Sequence, residues 1–301
     1  MALSFWLIWI NYPLFNQALG SKVIFARVSL LRRLQTGFRA WWSAYLAEAF
    51  LESLFGVLTY QLIGIALFLP FELAFPRART SFADRSRGIL FLLAVAPFTA
   101  LVSSTLAQAK SALHIKPLLT IHHSAGAPVL ASIALALWVD LQFYTIHRFE
   151  HRFLWRFHAV HHSIQNLSAA NSYHHWTEPL WLLVLAIPLM FVDVQIGPTL
   201  GVLTFLFTFQ QFYIHSASRP NFGRLRWLLA DNVYHRIHHS TDPAHHDRNF
   251  GAMTPLWDWL FGTLYMPKSD EWPDVGLGEH NEPTTLIDWH LLPWRSNGTR
   301  P

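Results

Sequence analysis

Histidine carries the chemistry legible in this chain. There are 18 histidines, as many as Asp and Glu together. Thirteen of them fall between residues 147 and 246. His147 and His151 form H-x-x-x-H. His158, His161 and His162 form H-x-x-H-H, and His235, His238 and His239 repeat that spacing. Positions i, i+3 and i+4 lie on one helix face, so each cluster can aim its rings at one point. Neutral imidazole is a good ligand for Zn, Fe, Cu and Ni. Eight buried imidazoles without a metal would leave unpaired polar groups, each costing roughly 1–3 kcal/mol. Eight ligands exceed what one ion takes, so the pattern points to two ions.

Other residues fit around this core. His215 reads either as a further ligand or as a helix-end cap. In S-Y-H-H-W-T-E-P, one of His174 and His175 could ligate while the other supports it. His245 and His246 read as a loop beside the site, and His114, His122, His123, His280 and His290 as structural or surface residues. A ligating histidine usually gives its other N–H to a carboxylate or carbonyl. Asp140 and Tyr144 precede His147 by seven and three residues and share its helix face. Together with Glu178 and Asp247 they are the expected supporting residues, whereas Asp231 reads as a solvated carboxylate or a helix cap.

The elements that must position these side chains are membrane-like. The 301 residues are 52% hydrophobic and 15% aromatic. Only 13% are charged, against about 25% in an ordinary soluble domain. This composition excludes intrinsic disorder. With no cysteine, disulfide scaffolds and thiolate metal sites are excluded too. The formal charge is +4, but the basic residues cluster at Lys22–Arg39 and Arg77–Arg87, each bordering an apolar run. That placement fits cytoplasmic juxtamembrane segments and not nucleic-acid binding.

Stretches free of Asp, Glu, Lys and Arg run over 1–21, 53–71, 88–109, 124–139, 179–192 and 194–218. A bilayer span needs roughly 20 apolar residues. The second and third qualify alone, and the fourth qualifies if it continues to Ile146. Residues 41–75 form one long helix or a hairpin, and 179–214 a helical hairpin that crosses or dips, with a turn at Asp193–Pro198. Residues 1–21 read as an uncleaved anchor or interfacial segment. With 77–87 in the cytoplasm, every histidine cluster faces that side. From about 219 the composition turns soluble. The expected fold is all-α: a multi-span integral membrane domain with a cytoplasmic, histidine-rich di-metal cap. The expected parts are 1–125 (membrane segments and basic loops), 126–265 (catalytic domain) and 266–301 (tail).

Over roughly 130–265 the ordered motifs resemble the fatty acid hydroxylase/sterol desaturase superfamily. They are D-x-x-x-Y-x-x-H-R-x-x-H (Asp140 to His151), H-x-x-H-H-S (His158 to Ser163 and His235 to Ser240), N-L-S-A-A (Asn166 to Ala170), the H-W-T-E that ends in Glu178, D-R-N-F-G (Asp247 to Gly251) and W-D-x-x-F-G-T (Trp257 to Thr263). The resemblance implies a membrane enzyme with a di-iron centre, zinc being possible in purified protein, that hydroxylates or desaturates a fatty acyl or sterol-type lipid with O2. It implies His147, His151, His158, His161, His162, His215, His235, His238 and His239 as ligands, with no catalytic side chain beyond the metal centre. No haem-binding carrier is fused, so a separate reductase, ferredoxin or cytochrome would supply electrons. The segment before His174 lacks the arginine often found there, which leaves His174 and His175 as alternatives. Breaking an unactivated C–H bond calls for metal–oxygen chemistry, and a thiolate-free ligand set avoids sulfur oxidation. A zinc-dependent membrane hydrolase is the alternative, although no H-E-x-x-H occurs. A metal transporter or bis-His haem protein would place its ligands within the spans.

Overall fold

The computed structural model describes residues 38–121, 128–181, 187, 190–194, 209–268, 270–277 and 282–295. The segment 1–21, most of the apolar hairpin, His122, His123 and His280 lie outside them.

Helix α1 (Phe38–Ala74) and helix α2 (Phe82–Ala112) fold back on each other across a short loop. Residues 41–75 are thus one helix to Ala74 and not a hairpin. Ala47–Ala74 and Phe82–Ala112 are long and apolar enough to cross a membrane. Both are apolar on their outer faces as well: Leu51, Phe55, Leu62 and Leu67 of α1 and Leu101 of α2 are exposed. Helices apolar all round belong in lipid or in a large core. The inner faces place Val57, Tyr60 and Ile65 against Phe91, Leu92, Val95 and Ala96 in the main apolar core.

The loop joining α1 to α2 is tied to the chain after His215. Arg77 N donates to Ala217 O at 2.7 Å and Arg219 N to Phe75 O at 2.8 Å. Fully buried Glu72 accepts from Arg85 Nη2 (3.1 Å), Ala169 N (3.1 Å), Ser216 Oγ (3.2 Å) and Ala217 N (3.1 Å). One carboxylate therefore joins three separate stretches of chain. Trp272 lies between two guanidinium groups, Arg77 at 4.5 Å and Arg236 at 4.2 Å from the ring. Gly88 lets α2 press onto the 166–171 loop, since a Cβ there would lie 2.3 Å from Ala170 O.

Helix α3 (Pro128–Phe153) stops at Leu154, and helix α4 (Trp155–His162) starts in a new direction. Residues 209–214 are helical and run along α1. A 3-10 turn (Gly223–Trp227), helix α5 (Asn232–His238), helix α6 (Leu256–Leu260) and helix α7 (Leu286–Arg295) complete the described elements, with a second 3-10 turn at Pro243–His245. Of the two readings of Asp231, the structure shows the helix cap: it caps α5, accepting from Val233 N and Tyr234 N. The all-α expectation needs one amendment. Strand β1 (Leu119–Ile121) pairs in parallel with strand β2 (Val192–Val194). Asp193 and Val194 are thus extended and not part of a turn, in keeping with the β-branched character of both segments.

Glu72→Ala is expected to cost about 3–5 kcal/mol, because it strands Arg85 and two buried amides. Thermal unfolding in nanodiscs should show the loss; an unchanged melting temperature would contradict the joining role of Glu72.

Candidate metal centre

The break at Leu154 makes the site. Leu154 N donates to Glu150 O (2.9 Å), while Leu154 O accepts from Phe157 N (2.9 Å) and His158 N (3.2 Å), so one residue ends α3 and starts α4. The fold-back sets His147 Nε2 3.1 Å from His158 Nε2, and His151 Nε2 3.1 Å from His162 Nε2. His235, His238 and His239 on α5 and His215 after the 209–214 helix close the cluster. The nitrogens form two compact sets, His147, His151, His158, His162 and His238 in one, His161, His215, His235 and His239 in the other. Within each set all lie within 4.8 Å of one another and all the residues are buried.

The rings are oriented from behind. His147 Nδ1 faces Phe250 O (2.9 Å), His161 Nδ1 Tyr173 O (3.0 Å), His215 Nδ1 Gln211 O (2.6 Å) and His238 Nδ1 Arg248 O (2.8 Å). A carbonyl only accepts, so each of these Nδ1 atoms carries the hydrogen. The Nε2 of a neutral ring is then a bare lone pair. His161 Nε2 and His215 Nε2 lie 3.2 Å apart, so two lone pairs meet with no proton between them. His238 Nε2 is buried without a hydrogen-bond partner among the described residues. This arrangement is repulsive alone and fits a cation between the nitrogens.

Protonation does not relieve it. Burial, reinforced by neighbouring imidazoles, holds His147, His151, His161, His162, His235 and His239 well below the ordinary imidazole value. Burial likewise brings His215 and His238 down to about 3. These eight rings are neutral at pH 7, the form that binds metals.

The loop behind α5 explains two sequence motifs. Asp247 and Asn249 have φ of 55° and 56°, the left-handed region that Asp and Asn tolerate best among residues with side chains. This twist turns the carbonyls of Arg248 and Phe250 toward His238 and His147. Asp258 fixes the loop by accepting from Phe250 N (2.8 Å), Gly251 N (2.7 Å), Thr263 Oγ1 (2.7 Å) and Tyr234 Oη (2.9 Å). A Cβ on Gly251 would meet Thr254 O at 2.4 Å, which accounts for the glycine.

Carboxylates border the centre on one side. Glu178 Oε2 lies 2.6 Å from His174 Nδ1, and its Oε1 is 3.4 Å from His158 Nδ1. Glu150 Oε2 is 3.5 Å from the same His158 nitrogen. Burial would raise Glu178, but His174 and His158 outweigh it and hold the carboxyl well below its usual range. Burial and the Glu178 charge push Glu150 well up. The two acids are thus pushed in opposite directions, Glu178 toward its ionised form and Glu150 toward its protonated one.

All nine expected ligands fall in the two sets. His174 stacks on His161 at 3.8 Å and, with His158 and Glu178, forms a third group able to hold an ion. His175 turns away, to Thr177 Oγ1 (2.7 Å) and His290 O (3.3 Å). Asp247 meets His151 Nδ1 at 3.2 Å. Asp140 touches no imidazole: it accepts from Met253 N, Thr254 N and Thr254 Oγ1, supporting the loop that meets His147. Tyr144 acts at the same remove, its hydroxyl on Thr263 Oγ1 at 3.0 Å. His245 bonds Ser240 Oγ (2.9 Å), beside the site and outside it. Sequence reasoning passed over Glu150 and Asp258. Each had a signal, an acid inside H-x-x-x-H and the Asp of W-D-x-x-F-G-T.

Two cavities reach the histidines from different sides. One encloses about 890 Å³ of space counting its open mouth. Val57, Tyr60, Gln61, Leu92, Val95 and Thr99 of α1 and α2 line it, with Phe143 of α3, and it ends on both histidine sets and on Glu150 and Glu178. The other, of about 420 Å³, is lined by His151, Trp155, His162, His238, His246 and Asp247.

The fatty acid hydroxylase family matches over residues 132–263, the stretch that holds all three histidine clusters. Over this stretch the chain is similar to the fatty acid hydroxylase/sterol desaturase superfamily. Among its relatives, an alkylglycerol monooxygenase of Danio rerio is 33% identical over 146 residues, covering 45% of this chain and 30% of the relative. The ornithine lipid hydroxylase OlsE of Rhizobium tropici is 31% identical over 157 residues, covering 50% of this chain and 46% of the relative. The human alkylglycerol monooxygenase is 27% identical over 134 residues, covering 42% and 29%. The chain thus spans less than half the length of these relatives. No solved structure matches it.

His161→Ala or His215→Ala is expected to lower bound metal at least tenfold, as loss of a ligand should exceed the 10–100-fold effect of losing its supporting partner. His175→Ala should keep the metal. Elemental analysis of purified protein decides, and equal retention in all three variants would count against the centre. Acid gives a separate check on metal-free protein. The folded imidazoles titrate below the unfolded value near 6.5, so the unfolded chain binds more protons below that pH. Stability should therefore fall as pH drops from about 6.5 toward about 3, where His215 and His238 themselves titrate. Flat denaturation midpoints between pH 7.5 and 5.5 would contradict the neutral burial of these rings.

Proposed function

We propose that this chain is a membrane-bound di-iron oxygenase that hydroxylates a C–H bond of a lipid, using O2 and electrons from a separate reductase, ferredoxin or cytochrome. The observation that carries this reading is the larger cavity, which runs from the apolar side chains of α1 and α2 to both histidine sets. It can take a hydrocarbon chain from the bilayer and bring one carbon to the metal side. The names of the relatives, monooxygenase and lipid hydroxylase, support the same chemistry.

His147, His151, His158, His162 and His238 would hold one iron, and His161, His215, His235 and His239 the other. Bound there, iron would supply the redox chemistry with O2 that a C–H bond requires and no side chain provides. The protein does the rest. Carbonyls and Asp247 lock the rings from behind, so the Nε2 atoms stay aimed without rearrangement. Val57, Leu92, Val95 and Phe143 exclude water and align the chain. Buried Gln61, whose Oε1 has no partner among the described residues, offers an acceptor to a lipid hydroxyl or amide. Glu150, which burial pushes toward its protonated form, stands beside His158 at the edge of the cavity. Residues 77–87 support a cytoplasmic orientation, since Arg77 is bonded to Ala217, two residues beyond His215.

The test is turnover in nanodiscs with iron, a reductant and lipid extracts. Two irons per chain and O2-dependent gain of one oxygen atom are expected. Activity without O2 would favour the zinc hydrolase, and a haem absorption band the haem protein. Val95→Trp, which fills the cavity away from the histidines, should leave the metal content intact and lower turnover roughly 10²-fold through misplacement of the chain. Unchanged turnover would separate this cavity from the reaction.

A further inference from the structure

The region after residue 219 has the composition of a water-exposed cap, yet two of its segments turn large apolar side chains outward. Around the 3-10 turn, Leu225 and Trp227 are each 60% exposed and Leu228 66%. On and after α6, Trp259 is 66% exposed and Leu260 57%. Exposed apolar groups gathered in this way mark a surface that water does not cover.

Contacts with α1 fix the depth of both segments. The helical stretch 209–214 lies along α1, with Tyr60 and Phe209 rings 5.7 Å apart and Phe68 and Tyr213 rings 6.1 Å apart. Phe212 sits so close to Gly64 that a Cβ there would be 2.2 Å from the ring. After reaching the end of α1 at residues 217–219, the chain turns back along this stretch. The Phe222 ring lies 5.0 Å from Tyr213, Tyr213 Oη donates to Pro220 O at 3.2 Å, and Gln210 Nε2 donates to Ala230 O at 2.7 Å. Ala230 N then donates to Met253 O at 2.8 Å, and Asp140 of α3 takes the Met253 and Thr254 amides. Phe68 and Gly64 precede Ala74 by six and ten residues. At 1.5 Å per residue these levels lie about 9 and 15 Å inside the end of α1.

The two segments therefore sit beside the apolar helices and not above them. Their outward side chains match those of α1, where Leu62 is 53% and Leu67 50% exposed. The charges suit this depth as well. Arg226 is buried on Asp231 at 2.7 Å. Exposed Arg224 pairs with no carboxylate among the described residues, and its long stem can carry the guanidinium to the headgroups.

We infer that residues 222–230 and 255–261 form a collar embedded in the bilayer, with Leu225, Trp227, Leu228, Trp259 and Leu260 in contact with the acyl chains of membrane phospholipids. The collar lies in one leaflet, as interfacial elements do, and does not span.

The absence of cysteine makes the test direct. Leu228→Cys and Leu260→Cys, each carrying a nitroxide, are placed in the full-length protein in phosphatidylcholine/phosphatidylglycerol nanodiscs. Leu67→Cys serves as the lipid reference and Lys268→Cys as the aqueous one. Collision with O2 relative to a water-soluble nickel chelate should match Leu67→Cys at both sites and exceed Lys268→Cys several-fold. Leu225→Cys and Trp259→Cys provide a second pair should a first variant misfold. Nickel collision at the level of Lys268→Cys overturns the collar. So do low collision rates with both reagents, which would place another protein on this face. Aqueous behaviour of Leu67→Cys would overturn the membrane setting as a whole, independently of catalysis.

Discussion

Lone pairs facing one another constrain this structure more than any other interaction. Carbonyls claim the Nδ1 hydrogens of His161 and His215, so their Nε2 atoms meet 3.2 Å apart with nothing of their own to share. An apolar surrounding makes the conflict worse, because burial removes the protonation that could turn one ring into a donor. Only a cation reconciles a neutral, buried and convergent set. Much of the rest of the domain can be understood as the framework that keeps those nitrogens aimed against their mutual repulsion.

That framework acts mostly at one remove. Asp258 touches no imidazole, yet it holds the loop whose carbonyls orient His147 and His238. Asp140 holds the continuation of the same loop. Glu72 binds the stretch just after His215 to the stretch just before His174. The buried carboxylates thus accept backbone amides at several points in sequence and convert loops, which would otherwise be adaptable, into rigid backing for the rings. Glu150 and Glu178 differ from these, since they border the cavity and are pushed in opposite directions, Glu150 toward the protonated form and Glu178 toward the ionised one.

The sequence made the histidine clusters plain because helical spacing alone aligns i, i+3 and i+4. It also located α1 and α2, whose signals are local. What escaped was non-local. Whether His174 or His175 turns inward depends on the 163–178 loop and on α7, which receives His175. Asp140 shares a helix face with His147, but that face meets a loop more than 100 residues later, and no periodicity foretells it. The strand pairing joins residues 119–121 to 192–194, too short a signal to stand out. The apolar residues at 225–228 and 259–260 were diluted by charged and proline neighbours, so composition averaged them into a soluble cap.

The single break at Leu154 has a consequence for how this domain can change. His147 meets His158, and His151 meets His162, each pair eleven residues apart and each straddling that break. Adding or deleting one residue between Phe153 and Phe157 would rotate α4 by about 100° relative to α3 and separate both pairs at once. Substitutions of the intervening side chains leave that register untouched. The length of this connection is therefore a component of the metal site in its own right, and descendants of this chain can vary its residues far more freely than their number.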